Sequence, residues 1–283
     1  MTIPAGAFVN PAGLANAAAA SSSVSFLPPT ASLTGPAAGV VNQPLTFNCG
    51  AGDVSAEEQG GAFSYTVNWG DGSAGSPDTQ TAVGAGGGLA LNHVYARPGS
   101  YTVQLWATDK DGTSSQPVTQ TVTVSNVVQV GSTLFVGGNG TISVTPGLDV
   151  AINGQQFGPY AGVSMINVYG GSGNDVISID KAVTTPAAVY GGGGNDTMQA
   201  GGGYDTLVGG NGNDTFIDGG GINVMVGGNG SNTFIDNGGF NQLYGGSGTN
   251  LVVRAGGAAE TFLSLNELPA LTVLAKSATR AYG

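Results

Sequence analysis

Three aspartates carry the chemistry this sequence offers: Asp175, Asp196 and Asp214, set 21 and 18 residues apart. Each is the sixth residue of a nine-residue unit. From Gly191 the units run without a break as Gly191–Gln199, Ala200–Val208, Gly209–Ile217, Asp218–Val226, Gly227–Ile235, Asp236–Tyr244 and Gly245–Val253. Position six reads Asp196, Asp205, Asp214, Asn223, Asn232, Asn241 and Asn250. Position eight is always apolar: Met198, Leu207, Phe216, Met225, Phe234, Leu243 and Val252. An eighth copy, Gly170–Ser178, lies upstream with Asp175 and Ile177 in the matching slots. Carboxylates recurring on this period stack if the chain coils, and stacked carboxylates repel unless a cation lies between them. Ca²⁺ is the hard, oxygen-seeking ion that takes two carboxylates and turn carbonyls in a flexible site of about six ligands.

The elements that must position them follow from the same frame. Six residues of Gly, Asn and Asp turn rather than extend, because they readily adopt left-handed backbone angles. The three residues that follow (Val176-Ile177-Ser178, Thr206-Leu207-Val208, Thr215-Phe216-Ile217) are β-formers whose middle side chain points inward. Two units make one flattened coil, so alternate units stack strand on strand about 4.8 Å apart. The expected core is two facing rows. One is Ile177, Met198, Phe216, Phe234 and Val252; the other is Val189, Leu207, Met225 and Leu243. The 21-residue step is 18 plus an insertion of three within the opposing stretch 179–187. Asp175, Asp196 and Asp214 should therefore line one edge, followed by Asn232 and Asn250. One ion is expected between Asp175 and Asp196 and another between Asp196 and Asp214. A third, between Asp214 and Asn232, would have only one charge to hold it. Asp205, also a candidate calcium ligand, begins the opposite edge, followed by Asn223 and Asn241, where neutral amides can hydrogen-bond up the stack. The competing reading is that Asp occupies these turns merely because it favours turns.

The pattern is G-G-x-G-x-D-x-U-x, and the segment resembles the calcium-binding repeat region of RTX (repeats-in-toxin) proteins. The resemblance implies a parallel β-roll that binds Ca²⁺ in its turns. It also implies that an uncleaved C-terminal segment serves type I secretion. Asn at position six of the later units departs from the family pattern.

Upstream, alternating β-rich runs at 45–48, 62–69, 89–95, 100–107 and 118–124 are separated by Gly, Pro and Asp turns at sandwich-like spacing. Within them stand Val67-Asn68-Trp69-Gly70-Asp71-Gly72-Ser73, then His93-Val94-Tyr95, Pro98-Gly99-Ser100-Tyr101-Thr102-Val103 and Asp109-Lys110-Asp111-Gly112. These motifs resemble a PKD (polycystic kidney disease) domain, which implies an immunoglobulin-like β-sandwich used as an extracellular spacer or interaction module. The stretch between Asp71 and His93 is a long insert, Gly/Ala-rich at Gly84–Gly88, and is expected to be a flexible or binding loop. Trp69 reads as a core residue, Cys49 as a small buried hydrophobe, and Asp109 and Asp111 as turn residues. His93, the only histidine, has no second His or Cys partner for a zinc or nucleophile role. Glu57 and Glu58 are adjacent, and no pair of carboxylates is set across a cleft as glycoside hydrolysis requires.

Bulk properties limit the rest. The 283 residues include 52 Gly, carry only 8% charged side chains, and have a net charge of −11 with six Lys and Arg. Such an acidic chain is a poor ligand for nucleic acid and a reasonable host for divalent cations. No stretch approaches the roughly 18 apolar residues a membrane helix needs, so no membrane insertion is expected. No basic region followed by an apolar run marks a standard secretory signal, so either export takes another route or the chain is a piece of a longer protein.

The expected organisation is all-β. It comprises a leader or linker (1–28), a PKD-like sandwich (29–125), a β cap (126–169), an RTX-like β-roll (170–253) and a C-terminal cap or secretion-signal candidate (254–283). The function expected is that of a non-catalytic, secreted, calcium-binding modular protein. It would serve as a cell-surface or matrix adhesion or spacer element, with an extracellular protein or polysaccharide as partner and end-to-end self-association through solenoid ends. The alternatives are an accessory region of a secreted hydrolase, and a metal-free solenoid held by Asn ladders.

Overall fold

The computed structural model describes residues 27–54, 61–72 and 78–254, with the backbone of three further strands, Thr2–Ile3, Ala20–Ser21 and Thr272–Ala275. Every regular element among the described residues is a β-strand. The chain divides into two compact units, one containing Phe47–Leu91 and Val103–Gln120 and the other containing every described residue from Thr121 onward.

The N-terminal strands form two sheets. One has the order Ala38–Val40, Val118–Ser125, Gly99–Thr108, Ala62–Asn68 and Thr79–Ala85; the other has Thr30–Thr34, Pro44–Gly52 and Leu89–Val94. Period-two alternation explains the core. Phe63, Tyr65 and Val67 point inward from one strand, Phe47 and Cys49 from another, and each is almost fully buried. Trp69 is also buried and packs on Phe47 with ring centroids 5.3 Å apart. Asp109 closes a turn, its Oδ1 accepting the N–H of Asp111 at 2.9 Å and of Thr113 at 2.8 Å. The expected loop between Asp71 and His93 is corrected in part. Thr79–Ala85 is an edge strand paired antiparallel with Ala62–Asn68 over its whole length. Its β-branched Thr79, Thr81 and Val83 suit a strand, and the glycines that follow turn the chain back. Glu57 and Glu58 lie outside the described residues.

From Thr133 onward two parallel sheets wind as one solenoid. The first sheet runs Thr133–Gly137, Met165–Ser172, Ala187–Gly193, Tyr204–Asn211, Ile222–Asn229 and Phe240–Tyr244. The second runs Thr141–Thr145, Val176–Ile179, Thr197–Gln199, Thr215–Ile217, Thr233–Asp236, Leu251–Arg254 and Thr272–Ala275. The register matches the expected rows. Ile177 pairs with Met198, then Phe216, Phe234 and Val252; Val189 pairs with Leu207, Met225 and Leu243. Phe216 and Phe234 stack 4.8 Å apart, the strand spacing itself. Both rows extend upstream, through Val168 and Val136 on one side and Ile142 on the other.

The stretch 126–169 thus supplies more than a cap. It forms the first parallel coil without the nine-residue signature, because its turn from Val136 to Ile142 is shorter than the one from Val168 to Ile177 stacked on it and its return to Met165 carries extra hairpin strands. It also places Val127–Val130 antiparallel to Thr133–Gly137, and Asp149–Ile152 antiparallel to Thr141–Thr145. Antiparallel strands at that end pair an edge that would otherwise be open. The candidate tail at 254–283 lies largely outside the described residues.

The turns demand glycine at defined positions. Gly192 and Gly194, at positions two and four of their unit, have φ of 105° and 114°. A side chain on Gly192 would also overlap the carbonyl oxygen of Gly171 one coil above. The coils therefore pack backbone on backbone at the edges.

Candidate metal centre

The first edge of the solenoid brings Asp175, Asp196 and Asp214 into one column, and all three are buried. One carboxylate oxygen of each is used to hold the stack. The backbone N–H of Asp175 donates to Asp196 Oδ1 at 2.8 Å, and that of Asp196 donates to Asp214 Oδ1 at 2.9 Å. The N–H of Gly140 donates to Asp175 Oδ1 in the same way. Asn232 and Asn250 continue the column, with Asp214 N–H to Asn232 Oδ1 and Asn232 N–H to Asn250 Oδ1, both 2.8 Å. An outer ladder runs beside it, where Asn174, Asn195 and Asn213 accept N–H bonds from the coil below at 2.7 Å.

The second oxygen separates the two halves of the column. Oδ2 of Asp175, Asp196 and Asp214 is buried and accepts no hydrogen bond. It is tucked against the glycine that opens the same unit. A methyl group on Gly170 would come within 2.8 Å of Asp175 Oδ2 and 2.6 Å of the Gly191 carbonyl oxygen. On Gly191 it would overlap Asp196 Oδ2, with the Gly209 carbonyl oxygen 2.9 Å away; on Gly209 it would overlap Asp214 Oδ2, with that of Gly227 2.7 Å away. Each slot thus holds a carboxylate oxygen and a carbonyl oxygen with no donor between them. In the next coil the equivalent slot holds Asn232 Nδ2, which donates to the Gly245 carbonyl at 3.1 Å. The amide nitrogen shows where positive charge belongs.

The electrostatics agree. Burial pushes the Asp196 carboxyl up to about 6, the charges of Asp214 and Asp175 adding to it while the N–H of Asp175 pulls it back. Burial likewise raises Asp175 and Asp214. Buried, like-charged, donor-less oxygens are the condition in which a group takes up a proton or a cation. The donors here are all hard oxygens from carboxylates and carbonyls, and glycine leaves the space for them. These residues fit a calcium ion.

Asp205 lies on the opposite edge, away from the other three. Its neighbours in register are Ala187 above and Asn223 below, so no second position-six carboxylate stacks on it. Its Oδ1 accepts the N–H of Ala187 at 2.9 Å, and burial raises it to about 6, with the charge of Asp218 adding. Asp218 and Asp236, which the reading of position six passed over, are buried on this edge. The signal was present at position one, where Asp replaces the expected Gly in two alternate units.

Comparison with known proteins agrees with this geometry. The family model for the PKD domain matches residues 27–124. The model for the RTX calcium-binding nonapeptide repeat matches 167–178, 190–225 and 226–258. Five solved chains match. One is the PKD domain of an M14-like peptidase from a Thermoplasmatales archaeon, 25% identical, covering 35% of this chain and 98% of that one with a TM-score of 0.30. No curated protein matches significantly. The chain therefore carries a PKD domain followed by RTX calcium-binding nonapeptide repeats, and both modules are typically non-catalytic and occur in extracellular or secreted proteins.

Proposed function

We propose that this is a secreted, non-catalytic modular protein whose solenoid folds on binding Ca²⁺, and that it acts as a spacer or adhesive element at a cell surface or matrix. The observation that carries the calcium reading is the change of chemistry along one column. Where position six is Asp, a buried oxygen faces a carbonyl oxygen; where it is Asn, an N–H fills the same slot.

Asp175, Asp196 and Asp214 would hold the ion through Oδ2, with carbonyls of the turn glycines Gly191, Gly209 and Gly227 beside them. The ion supplies the positive charge that the column lacks. The residues supply the rest: Oδ1 of each aspartate fixes the coil above it, and the glycines keep the slot open. Without the cation, three buried carboxylates and the backbone entropy of the glycines oppose coiling. With it, binding free energy becomes folding free energy. Calcium near the millimolar level typical of extracellular modules would then trigger folding after export. Type I secretion through the C-terminal segment, and a protein or polysaccharide partner for the PKD domain, belong to this reading. The coils beyond Asn223, closed by amides, favour the metal-free structural reading for that part alone.

The test is far-UV circular dichroism of the full chain, titrated with Ca²⁺ from a chelated start, with Mg²⁺ as control. A cooperative gain of β signal specific to calcium is expected. A full β signal in chelator, unmoved by calcium, would leave a metal-free solenoid as the correct reading.

A further inference from the structure

The outer face of the first solenoid sheet carries no charge, although the chain has a net charge of −11. Asp205 is the one charged residue in its six parallel strands, and it is buried. Period-two alternation turns Tyr204 outward beside the inward Leu207, and register continues that column as Ile222 and Phe240. Tyr204 and Phe240 are 67% and 68% exposed. A second outward column on the same face runs from Tyr169 through Tyr190, Val208 and Val226 to Tyr244. Tyr169 and Tyr190 stack with nearly parallel rings, centroids 5.2 Å apart, and Tyr190 stays 39% exposed. Apolar side chains exposed in rows mark a surface that binds something.

At its Tyr169 end the second column becomes the floor of a cleft of about 670 Å³. Pro44, Val94 and Ala96 form the wall, and they belong to the same compact unit as the floor, which takes in Gly35–Thr46 and Asn92–Thr102. Val94 and Ala96 face outward because Tyr95 between them is fully buried, stacked on Tyr101 at 4.2 Å. Asn42 ties the wall to the floor. Its backbone N–H donates to the Tyr95 carbonyl at 3.0 Å, and its Nδ2 donates to the Gly170 carbonyl at 2.7 Å. A cleft held in this way is formed before a ligand arrives, which lowers the cost of binding. Apart from the tyrosine hydroxyls, Asn42 and Ser172 bring the polar side chains of the lining, and no lining residue is charged.

We propose that this cleft, with the aromatic column leading out of it, binds a neutral polysaccharide. The inference supplies a partner for the adhesive reading above and rests on it. A pyranose ring offers an apolar face of C–H groups to an aromatic side chain, and hydroxyls around its rim to amides and hydroxyls. A linear chain of such rings suits a flat track, and the column runs about 14 Å from Tyr190 to Tyr244, three strand spacings on. Charge selects against other partners. The acidic chain repels anionic glycans and nucleic acid, and a basic peptide finds no carboxylate in the lining. Strand addition by a peptide needs a free sheet edge, whereas this surface is a sheet face.

Isothermal titration calorimetry of the full chain in saturating Ca²⁺ tests this. Cellohexaose, xylohexaose, mannohexaose and chitohexaose with all its amines acetylated are the neutral probes, and a galacturonate oligomer of equal length is the anionic one. At least one neutral probe should bind, and the anionic one should not. Tyr190→Ala should weaken that binding about tenfold or more, and so should Val94→Asp, which sets a charge in the wall. Phe240→Ala, on the neighbouring column, should weaken it by a smaller factor. All three side chains are exposed, so each variant should keep its β circular dichroism. Absence of binding by every neutral probe overturns the inference. A dimer in sedimentation velocity that Tyr190→Ala dissociates, with no glycan bound, overturns it in favour of a second copy of the chain. Glycan bound with unaltered affinity in Tyr190→Ala and Val94→Asp overturns this site and leaves the adhesive reading standing. Failure of the calcium reading shows separately, as a β signal that is the same in calcium and chelator.

Discussion

Two halves of one edge share a backbone, and at position six they differ by a single atom per coil. In the half from Asp175 to Asp214, each position-six side chain ends in an oxygen that faces a carbonyl. In the half from Asn232 to Asn250, the same place holds an N–H₂ group. The rest of the column is continuous: the N–H bonds into Oδ1, the Gly that opens each unit, and the apolar row behind. The comparison teaches that the stack itself is held by backbone donors to Oδ1, which Asp and Asn accept equally. What distinguishes the halves is the charge needed beside the second atom, supplied covalently by the amide or from solution by an ion.

Exchanging the halves tests this most strongly. Converting Asp175, Asp196 and Asp214 together to Asn should abolish the calcium response of this edge and stabilise the chain in chelator. An unsatisfied buried oxygen costs about 1–3 kcal/mol, so the gain should reach several kcal/mol, read as a higher Tm in EGTA. Phe234→Ala provides the metal-blind counterpart. It removes a buried ring stacked on Phe216 and should cost about 3–5 kcal/mol by equilibrium denaturation, in calcium and chelator alike. Asn232→Asp extends the carboxylate half by one coil. It replaces the Nδ2 donor to Gly245 with an oxygen and should cost about 1–3 kcal/mol in chelator, largely recovered in saturating calcium.

The smallest effect is that of pH. Asp196 and Asp205 stand near 6 in the folded chain, above the ordinary carboxylate value. A raised folded pKa means the folded state binds the proton more tightly. In chelator, stability should therefore rise as pH falls from 7.5 through 6 to 5, by about 1 kcal/mol for each group. Calcium affinity should move the other way and fall over the same window, because the ion needs the deprotonated form. Thermal melts in EGTA and calcium titrations at the two pH values check both signs.

The repeat made the solenoid legible. A period of nine with an apolar eighth residue dictates both core rows, and the distance from Asp175 to Asp196 places the insertion on the opposing side. The sandwich motifs placed Trp69 in a core for the same reason: alternation shows which face is inward. Other features were hidden because their cause is tertiary. Thr79–Ala85 has too much Gly and Ala around it to read as a strand, and it is one only because Ala62–Asn68 offers an unpaired edge. The first coil at 133–145 lacks the nonapeptide turns, so only the pairing of Ile142 with Ile177 reveals it. Asp218 and Asp236 were visible as residues but not as part of the second edge, because their position in the repeat is ordinarily glycine; their burial beside Asn223 and Asn241 depends on hydrogen bonds that no sequence states.

The most direct measurement is hydrogen exchange by mass spectrometry on the full chain, in EGTA, in Ca²⁺ and in Mg²⁺. The amides of Asp175, Asp196 and Asp214 belong to the carboxylate coils, and that of Asn232 to the amide coils. The account predicts that calcium, and not magnesium, slows exchange over 170–217, with a much smaller gain over 227–253. Equal protection in EGTA and calcium over 170–217 would contradict it, as would a gain that is the same in both halves.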